Sequence, residues 1–364
     1  MPSRKALSLP TNLSAYSVRY LCQIPPTETM NKLFSLLALM AIALFATCSP
    51  KTTAVATAAA SATSPAPAPI AIGAPQFAPT AQDTFLLWSI NGPGVTNESY
   101  LFGTIHIIPE EDYFLPKGLV KSLNDADEVI FEIDPRQMSD PGMLMGLLSK
   151  INMQGDTSLE DLLPKEQYDE IEAYFTKSGM PFFLFKRMKP LFLSAMVGQD
   201  MEALQNGGGL GSGGTKSYEL ELTELAVAGE KSIGGLETME FQLGLFDAIP
   251  YAAQAKMLYQ SVVSDKGEDT GSEMSEMDKV VGLYKRKAIA EMAASLSEEG
   301  SGVAEFEELL LTKRNENWVP QIMAKIKAAS AQPKLFAVGA GHLGGDKGVI
   351  SLLRQEGLTV EPVR

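Results

Sequence analysis

Short apolar runs alternate with longer helical patterns after about residue 82, and this alternation predicts an α/β domain. Runs typical of strands occur at 85–90, 99–102, 129–133, 232–236, 334–338 and 358–363. The middle of the chain, from about 139 to 330, is mostly helical in its periodicity. Helices are predicted at 116–126, 159–175, 220–228, 241–259, 277–296 and 348–355.

The two ends of this region share a strand–turn–helix pattern. The first two strands are separated by Asn-Gly-Pro-Gly at 91–94, which predicts a hairpin. The last two are separated by a glycine-rich turn at 339–345 and a helix. We therefore expect a central sheet formed from N- and C-terminal segments, with the helical middle as a cap.

The N-terminal part of the chain has the composition of an export signal followed by a tether. Residues 30–48 contain a short cationic start, an apolar run over 33–46 and small residues around Cys48, which is the pattern of a secretory signal. The run is too short for a permanent membrane span, and its end is similar to a bacterial lipobox, with Cys48 as the lipidated residue. Residues 1–29 precede a better initiator at Met30, and 49–81 form an Ala/Thr/Pro-rich tether. We expect an extracytoplasmic, membrane-anchored lipoprotein with its domain at 82–364.

Charge and cysteine content exclude several classes of protein. The net charge is −14; because residues 1–51 carry +4 and 52–81 carry none, the remainder carries −18. Such a surface repels phosphate backbones, so no nucleic-acid partner is expected. The two cysteines, Cys22 and Cys48, both precede the domain, which excludes a disulfide scaffold, a cysteine-based zinc site and a cysteine nucleophile there.

Both histidines of the chain lie in the same local sequence pattern. His106 and His342 each follow an apolar strand in a Gly-x-x-His sequence, and Glu132 ends another predicted strand. Ligand sites of α/β sheets lie beyond the carboxyl ends of the strands. Two imidazoles and a carboxylate are a common ligand set for a divalent metal with an open position for water. A histidine near a strand end is also often a capping or packing residue.

At these motifs the sequence resembles the TraB/GumN family. The resemblance runs in order through most of the domain, and its segments are Leu87-Trp88, 100–106, Leu115-Pro116, 132–134, 235–238 with Gln242, Arg314-Asn315-x-x-Trp318 and 338–345. It implies the fold shared with Tiki-type proteases and with erythromycin-esterase-like and haem-binding ChaN-like proteins. It also implies a site of two histidines, a strand-end glutamate and an arginine, which map onto His106, His342, Glu132 and Arg314. One departure is the glycine-rich stretch before Tyr218-Glu219, where the family usually reads closer to Gly-x-Asp.

Two of these positions also have ordinary structural explanations. Glu237 follows a short predicted strand and is an additional candidate for the site, although a glutamate at a helix N-terminus is favourable in any case. Arg314 lies in a charged helical segment, where a solvated face is the default, and its assignment rests on the family pattern. Trp318 is predicted to be a packing anchor.

Two classes of function remain open on the sequence. The first is a hydrolase of peptide or ester bonds, in which His106, His342 and Glu132 hold a divalent metal of unknown identity or activate water directly, and Arg314 stabilises the oxyanion. The metal-bound form would be a metallopeptidase and the metal-free form esterase-like. The second is a non-catalytic lipoprotein that binds a peptide or haem-like ligand. The substrate or ligand would be a peptide or small molecule in either case.

Overall fold

A six-stranded sheet forms the centre of the protein. The computed structural model describes residues 77–139, 150–194, 196–197, 214–266, 276–297 and 306–364, so the predicted signal, Cys48 and most of the tether lie outside the described residues. The strands of this part are β1 Leu87–Asn91, β2 Ser99–Thr104, β3 Ile108–Pro109, β4 Glu128–Ile133, β5 Thr215–Lys216, β6 Ser232–Glu237, β7 Lys334–Gly339 and β8 Thr359–Pro362. The order in the large sheet is β6-β4-β7-β2-β1-β8. The predicted α/β class is confirmed.

Ten α-helices are found in the described residues. They are α1 Leu119–Asp125, α2 Lys165–Lys177, α3 Pro190–Ser194, α4 Tyr218–Ala228, α5 Met239–Asp247, α6 Tyr251–Asp265, α7 Glu276–Lys285, α8 Ile289–Ser297, α9 Lys313–Lys327 and α10 Val349–Gln355. In the same part of the chain, no helix is both long and apolar enough to cross a bilayer.

Four strands of the large sheet run parallel, and this sets the position of the site. β4 pairs with β6 and β7, and β7 pairs with β2, all in parallel. Because β7 comes from the C-terminal segment and lies between β2 and β4, the predicted union of the two chain ends is confirmed. The carboxyl ends of all four strands therefore meet at one edge of the sheet.

The predicted hairpin is also present, and its outer strand receives the end of the chain. β1 and β2 are antiparallel, with Leu87 opposite Phe102 and Ile90 opposite Ser99. β8 then adds to the other side of β1, antiparallel to it. β8 is therefore the edge strand on this side of the sheet.

A second, two-stranded sheet joins distant segments near the same edge. β3 and β5 pair antiparallel, with Ile108 opposite Lys216 and Pro109 opposite Thr215. This pairing holds the turn that follows β2 against the residues that precede α4.

The buried apolar residues form two clusters. The larger one surrounds the central sheet and includes Trp88, Phe102, Phe336, Trp318 and Tyr284. The smaller one lies within the helical middle and includes Phe175, Phe192, Phe246, Leu258 and Leu310. The helical cap therefore has its own apolar interior.

Three helices predicted as continuous are divided in the structure. Residues 159–175 begin as the 3₁₀ turn Leu159–Asp161, and α2 starts only after Pro164, which has no N–H to donate within a helix. Residues 241–259 divide into α5 and α6 before and after Pro250. Residues 277–296 divide into α7 and α8 at Lys287, whose φ of 58° ends a helix.

Candidate functional site

The carboxyl edge of the parallel strands carries two groups of polar side chains that differ in burial. Arg314, Glu132, Glu237 and His342 have side-chain exposures of 2%, 8%, 5% and 0%. We call these four residues the interior cluster. His106 and Glu219 are more accessible, at 16% and 20%, and we call them the rim pair. The family-implied residues thus gather at one edge but divide into two environments.

Arg314 is the centre of the interior cluster. Its Nη2 donates to Oε2 of Glu132 at 2.5 Å and to Oε1 of Glu237 at 2.6 Å, and its Nε donates to Glu237 at 3.1 and 3.2 Å. Its Nη1 lies 3.1 Å from both the Leu310 carbonyl oxygen and Nε2 of His342. A guanidinium has five N–H donors, and all five have protein acceptors here. Arg314 is therefore a buried structural cation. The charged composition of its segment predicts a solvated surface residue instead.

A π-helical turn directs Arg314 inward. Residues Glu308–Thr312 form this turn just before α9, with the Lys313 N–H bonded to the Glu308 carbonyl. On α9 the buried residues are Arg314, Asn315, Trp318, Val319, Ile322 and Ile326, which lie on one helical face. The extra residue of a π-turn rotates the following positions on the helix, and such turns are frequent at functional sites.

Glu132 is held by both of its oxygens. While Oε2 accepts from Arg314, Oε1 accepts the Gly339 N–H at 2.7 Å. A Cβ on Gly339 would lie 3.2 Å from this oxygen, which explains the glycine in the second Gly-x-x-His motif. Burial alone would raise the pKa of the carboxyl, but Arg314, together with the two histidines and the Gly339 N–H, outweighs burial and lowers the pKa to about 2. Glu132 is therefore a carboxylate at neutral pH.

Glu237 is a full member of the interior cluster. It accepts from Arg314 and, through Oε2, from the Trp318 indole N–H at 3.0 Å. Burial raises the pKa of its carboxyl in spite of the neighbouring Arg314. Trp318 is 0% exposed, as its predicted packing role requires, and it also orients this carboxylate.

The contacts of His342 fix its imidazole as the neutral tautomer with the proton on Nδ1. Because the guanidinium of Arg314 can only donate, the Nε2 that faces it must accept, and Nδ1 then carries the proton. Nδ1 lies 2.7 Å from Oδ1 of Asn315, whose Nδ2 donates to the Lys347 carbonyl and so fixes the amide orientation. Burial and the charge of Arg314 lower the pKa of His342 to about 3.

The rim pair joins the first Gly-x-x-His motif to the start of α4. Nδ1 of His106 lies 3.0 Å from Oε1 of Glu219. Thr104 donates to the same oxygen at 2.7 Å, and Ser217 donates to Oε2 at 3.0 Å. Burial opposes protonation of His106, but the carboxylate of Glu219 outweighs it and raises the pKa to about 9. The two motif histidines therefore have opposite protonation preferences.

Glu219 is the residue that the sequence reasoning missed. The sequence points to it only through the glycine-rich stretch before Tyr218-Glu219, which departs from the family pattern. The available signal was a carboxylate next to a helix-capping serine, Ser217, just after a glycine-rich stretch. Its pairing with His106 depends on the β3–β5 contact, which has no local sequence signature.

The residues nominated as metal ligands do not fit a divalent cation as they are placed. Glu132 and His342 both face the guanidinium of Arg314, so a metal ion there would lie against a fixed positive charge. His106 lies in the rim pair, with Glu219 on its Nδ1. In the part of the chain that the structure describes, no group of three or more His, Cys, Asp or Glu side chains is arranged to hold a metal ion.

The fold and this edge define an α/β protein with a polar site beyond the ends of parallel strands. The chain belongs to the TraB/PrgY/gumN family, whose sequence profile matches residues 86–362. This confirms the resemblance drawn from the motifs.

Curated relatives include proteases of vertebrates. The Danio rerio protein named Metalloprotease TIKI2 is 24% identical over 319 residues, which cover 76% of this chain and 60% of the relative. The Homo sapiens Metalloprotease TIKI1 is 23% identical, with 72% of this chain and 59% of the relative covered. The chain thus spans about three fifths of the length of these relatives. The Shigella flexneri Uncharacterized protein YbaP is 27% identical over 43% of this chain and 54% of its own length. No solved structure matches the chain.

Proposed function

We propose that this protein is a hydrolase that cleaves amide or ester bonds at the carboxyl edge of its sheet. The observation that carries the proposal is the rim pair: a histidine oriented by a carboxylate, next to a buried cluster of fixed charges. Histidine with an orienting carboxylate is a recurrent means of moving protons in acyl transfer. The relatives named metalloproteases support hydrolysis of a peptide bond in particular.

In the proposed reaction His106 is the group that moves the proton. Since Nδ1 is held by Glu219, the proton transfers at Nε2. His106 takes a proton from water, the water oxygen bonds to the substrate carbonyl carbon, and the bond to the leaving nitrogen or oxygen breaks. The same proton then passes from His106 to the leaving group, and a carboxylic acid and an amine or alcohol are released. Glu219 stabilises the imidazolium formed in between.

The interior cluster acts in this proposal by positioning. All five N–H donors of Arg314 bind protein acceptors, so the oxyanion role expected for Arg314 from the sequence does not follow from its contacts. Glu132 instead accepts hydrogen bonds from the Gly339 N–H and from Arg314. These bonds connect the end of β4 to the turn that follows β7. Arg314 is thus a positioning residue.

A metallopeptidase is the second candidate, and the names of the relatives are the observation that favours it. In that case Arg314 would have to withdraw from Glu132 and His342 to expose them to a metal ion. The difference between the two candidates is therefore a movement of one side chain.

We also propose that the domain is lipid-anchored at Cys48 outside the cytoplasm. The apolar run at 33–46, the cysteine after it and the uncharged residues 52–81 support this location. The partners would then be the membrane, through the anchor, and a peptide or small-molecule substrate. The net charge of −14 argues against a nucleic-acid partner.

The test is a cleavage assay of the purified protein on a peptide library and a panel of aryl esters. We expect turnover by the natural protein and a fall of about 10²–10⁴-fold in His106→Gln. Lys121→Gln is the control, because Lys121 is exposed and pairs with Asp125 one helical turn away. A ligand that binds tightly and is recovered intact would overturn the hydrolase and favour a non-catalytic binding protein.

A further inference from the structure

A short turn of the helical cap exposes two large apolar side chains next to each other. Phe183 and Leu184 belong to the 3₁₀ turn Phe182–Leu184, which follows α2, and they are 68% and 64% exposed. The other exposed large apolar residues in the described part of the chain are Leu220, Val227 and Phe241, none adjacent in sequence to another. Adjacent exposed apolar residues mark an interaction site more often than single ones do.

The turn is held firmly by the residues beneath it. Phe182 is 2% exposed, and its ring stacks on that of Phe175 with centroids 5.6 Å apart and planes 4° apart. The Leu184 N–H donates to the Pro181 carbonyl, and the Phe185 N–H donates to the Phe182 carbonyl. The apolar tip, as we call Phe183 and Leu184, is therefore fixed in its exposed position by packing and backbone hydrogen bonds.

Cationic residues flank the apolar tip in a chain that is otherwise acidic. Residues 177–189 contain four cationic side chains and no acidic one, while the chain as a whole carries −14. Lys189 is buried and paired with Asp247, and Arg187 lies 3.7 Å from Asp156. Lys177 is exposed and Lys186 is half-buried on the two sides of the tip, and the Lys186 carbonyl accepts the Leu159 N–H of the acidic turn Leu159–Asp161. An apolar tip between cations is the composition of a segment that lies in a membrane interface.

We propose that the apolar tip inserts into the surface of a phospholipid bilayer that contains anionic lipids. Phe183 and Leu184 would enter the boundary between headgroups and acyl chains, and the flanking cations would contact the negatively charged headgroups. Residues 49–81 lie between Cys48, the proposed site of lipid attachment, and the domain. With Cys48 anchored as proposed above, the domain would stay close to a membrane surface.

A tryptophan at the tip reports its surroundings directly. Trp88 and Trp318, the two tryptophans of the chain, are both 0% exposed, so a third indole on the surface gives a separate signal. We would place it in Phe183→Trp and, as the matched control, in Phe241→Trp on α5, where the phenylalanine is 41% exposed. Both full-length variants keep the same N-terminal segment, so any attachment through that segment is equal in the two.

The measurement is quenching of tryptophan emission by lipids brominated on their acyl chains, in vesicles of phosphatidylglycerol and phosphatidylcholine. We expect quenching and a blue shift for Phe183→Trp and neither for Phe241→Trp. Leu184→Ser should lower the vesicle partition coefficient by about tenfold, the factor that corresponds to 1.4 kcal/mol. Lys186→Gln should weaken binding to anionic vesicles and leave binding to pure phosphatidylcholine unchanged.

Three results would overturn the proposal. Equal quenching of the two tryptophan variants would mean that the tip has no preferred contact with lipid. Absence of quenching in both would mean that no insertion occurs. A blue shift of Phe183→Trp that grows with protein concentration without vesicles would assign the tip to contact between copies of this chain. Circular dichroism spectra equal to that of the natural protein exclude misfolding as the cause.

Discussion

Oε2 of Glu132 lies 2.5 Å from Nη2 of Arg314, so the carboxylate at the end of β4 is bound by the first turn of α9. The two residues are 182 positions apart in the sequence. Their contact joins β4 to the helix that precedes β7 in the chain. The consequences for stability and chemistry can be tested residue by residue.

Replacing Arg314 with lysine should destabilise the protein strongly. A lysine has three N–H donors in place of five and lacks the planar guanidinium fork, so it leaves some of the buried acceptors of Arg314 unpaired. A buried acceptor left without its hydrogen bond costs about 1–3 kcal/mol. We expect a loss of that order in the free energy of unfolding, measured by chemical denaturation.

The control for this change is Lys313→Ala. Lys313 is the preceding residue, and its pair with Glu308 is exposed and 3.6 Å long, so the cost should be below about 1 kcal/mol. Equal stabilities of Arg314→Lys and Lys313→Ala would show that the guanidinium does not hold the interior cluster together.

Gly339→Ala should damage the same cluster by a different route. The backbone of Gly339 is not strained, since its φ is −53°, but an added Cβ would lie 3.2 Å from Oε1 of Glu132. We expect a loss of about 1–3 kcal/mol in the free energy of unfolding. Gly244→Ala is the opposite control: Gly244 lies within α5 with nothing within 4 Å of an added Cβ, so alanine should stabilise by about 0.5–1 kcal/mol. A neutral Gly339→Ala would contradict the close packing at Glu132.

Acid should weaken the fold through His342. Its pKa is about 3 in the folded state and 6.5 as the ordinary value, so between these pH values the unfolded chain binds more protons. The free energy of unfolding contributed by His342 is therefore fully present above pH 6.5 and is lost as the pH falls toward 3. The slope reaches at most about 1.4 kcal/mol per pH unit.

His342→Gln should remove this slope, because an amide does not titrate. The comparison is clearest between pH 6.5 and 4.5, above the window in which Glu132 begins to protonate. If the free energy of unfolding changes with pH equally in the natural protein and in His342→Gln over this range, a buried neutral imidazole is contradicted.

Glu219→Gln should move the pH dependence of cleavage. With His106 as the base and its pKa at about 9, kcat/KM of the natural protein should rise with pH up to about 9. Without the carboxylate, burial is left as the main influence on His106, and the inflection should move to lower pH. Glu221→Gln on the same helix is the control, since Glu221 pairs with Lys216 and not with His106. An unchanged inflection in Glu219→Gln would separate Glu219 from the chemistry.

The sequence predicted the elements of this site better than their contacts. Gly-x-x-His after two apolar strands correctly placed His106 and His342 at one edge, because parallel neighbours such as β2 and β7 end together. The same pattern suggested equal roles for the two histidines. Their difference comes from contacts with Glu219 and Arg314, which lie 113 and 28 positions away along the chain.

The burial of Arg314 could not be seen in the sequence for a similar reason. Its segment, Lys-Arg-Asn-Glu, has the composition of a solvated helix face. The π-turn before α9 and the apolar residues farther along the helix decide that this arginine faces inward. The sequence likewise explains Glu237 as a residue at a helix N-terminus. Its role in the cluster follows only from the hydrogen bonds that its oxygens accept from Arg314 and Trp318.

The central claim is that the two Gly-x-x-His histidines have different roles, a charged rim residue and a buried neutral one. Side-chain ¹⁵N NMR tests it directly, because the chain contains only His106 and His342. We predict one imidazole that titrates with a pKa of about 9 and one that stays neutral, with its proton on Nδ1, down to about pH 3. His106→Gln should remove the first signal only. Two imidazoles that titrate together near pH 6.5, or that shift together when one equivalent of Co²⁺ or Zn²⁺ is added, would contradict the account.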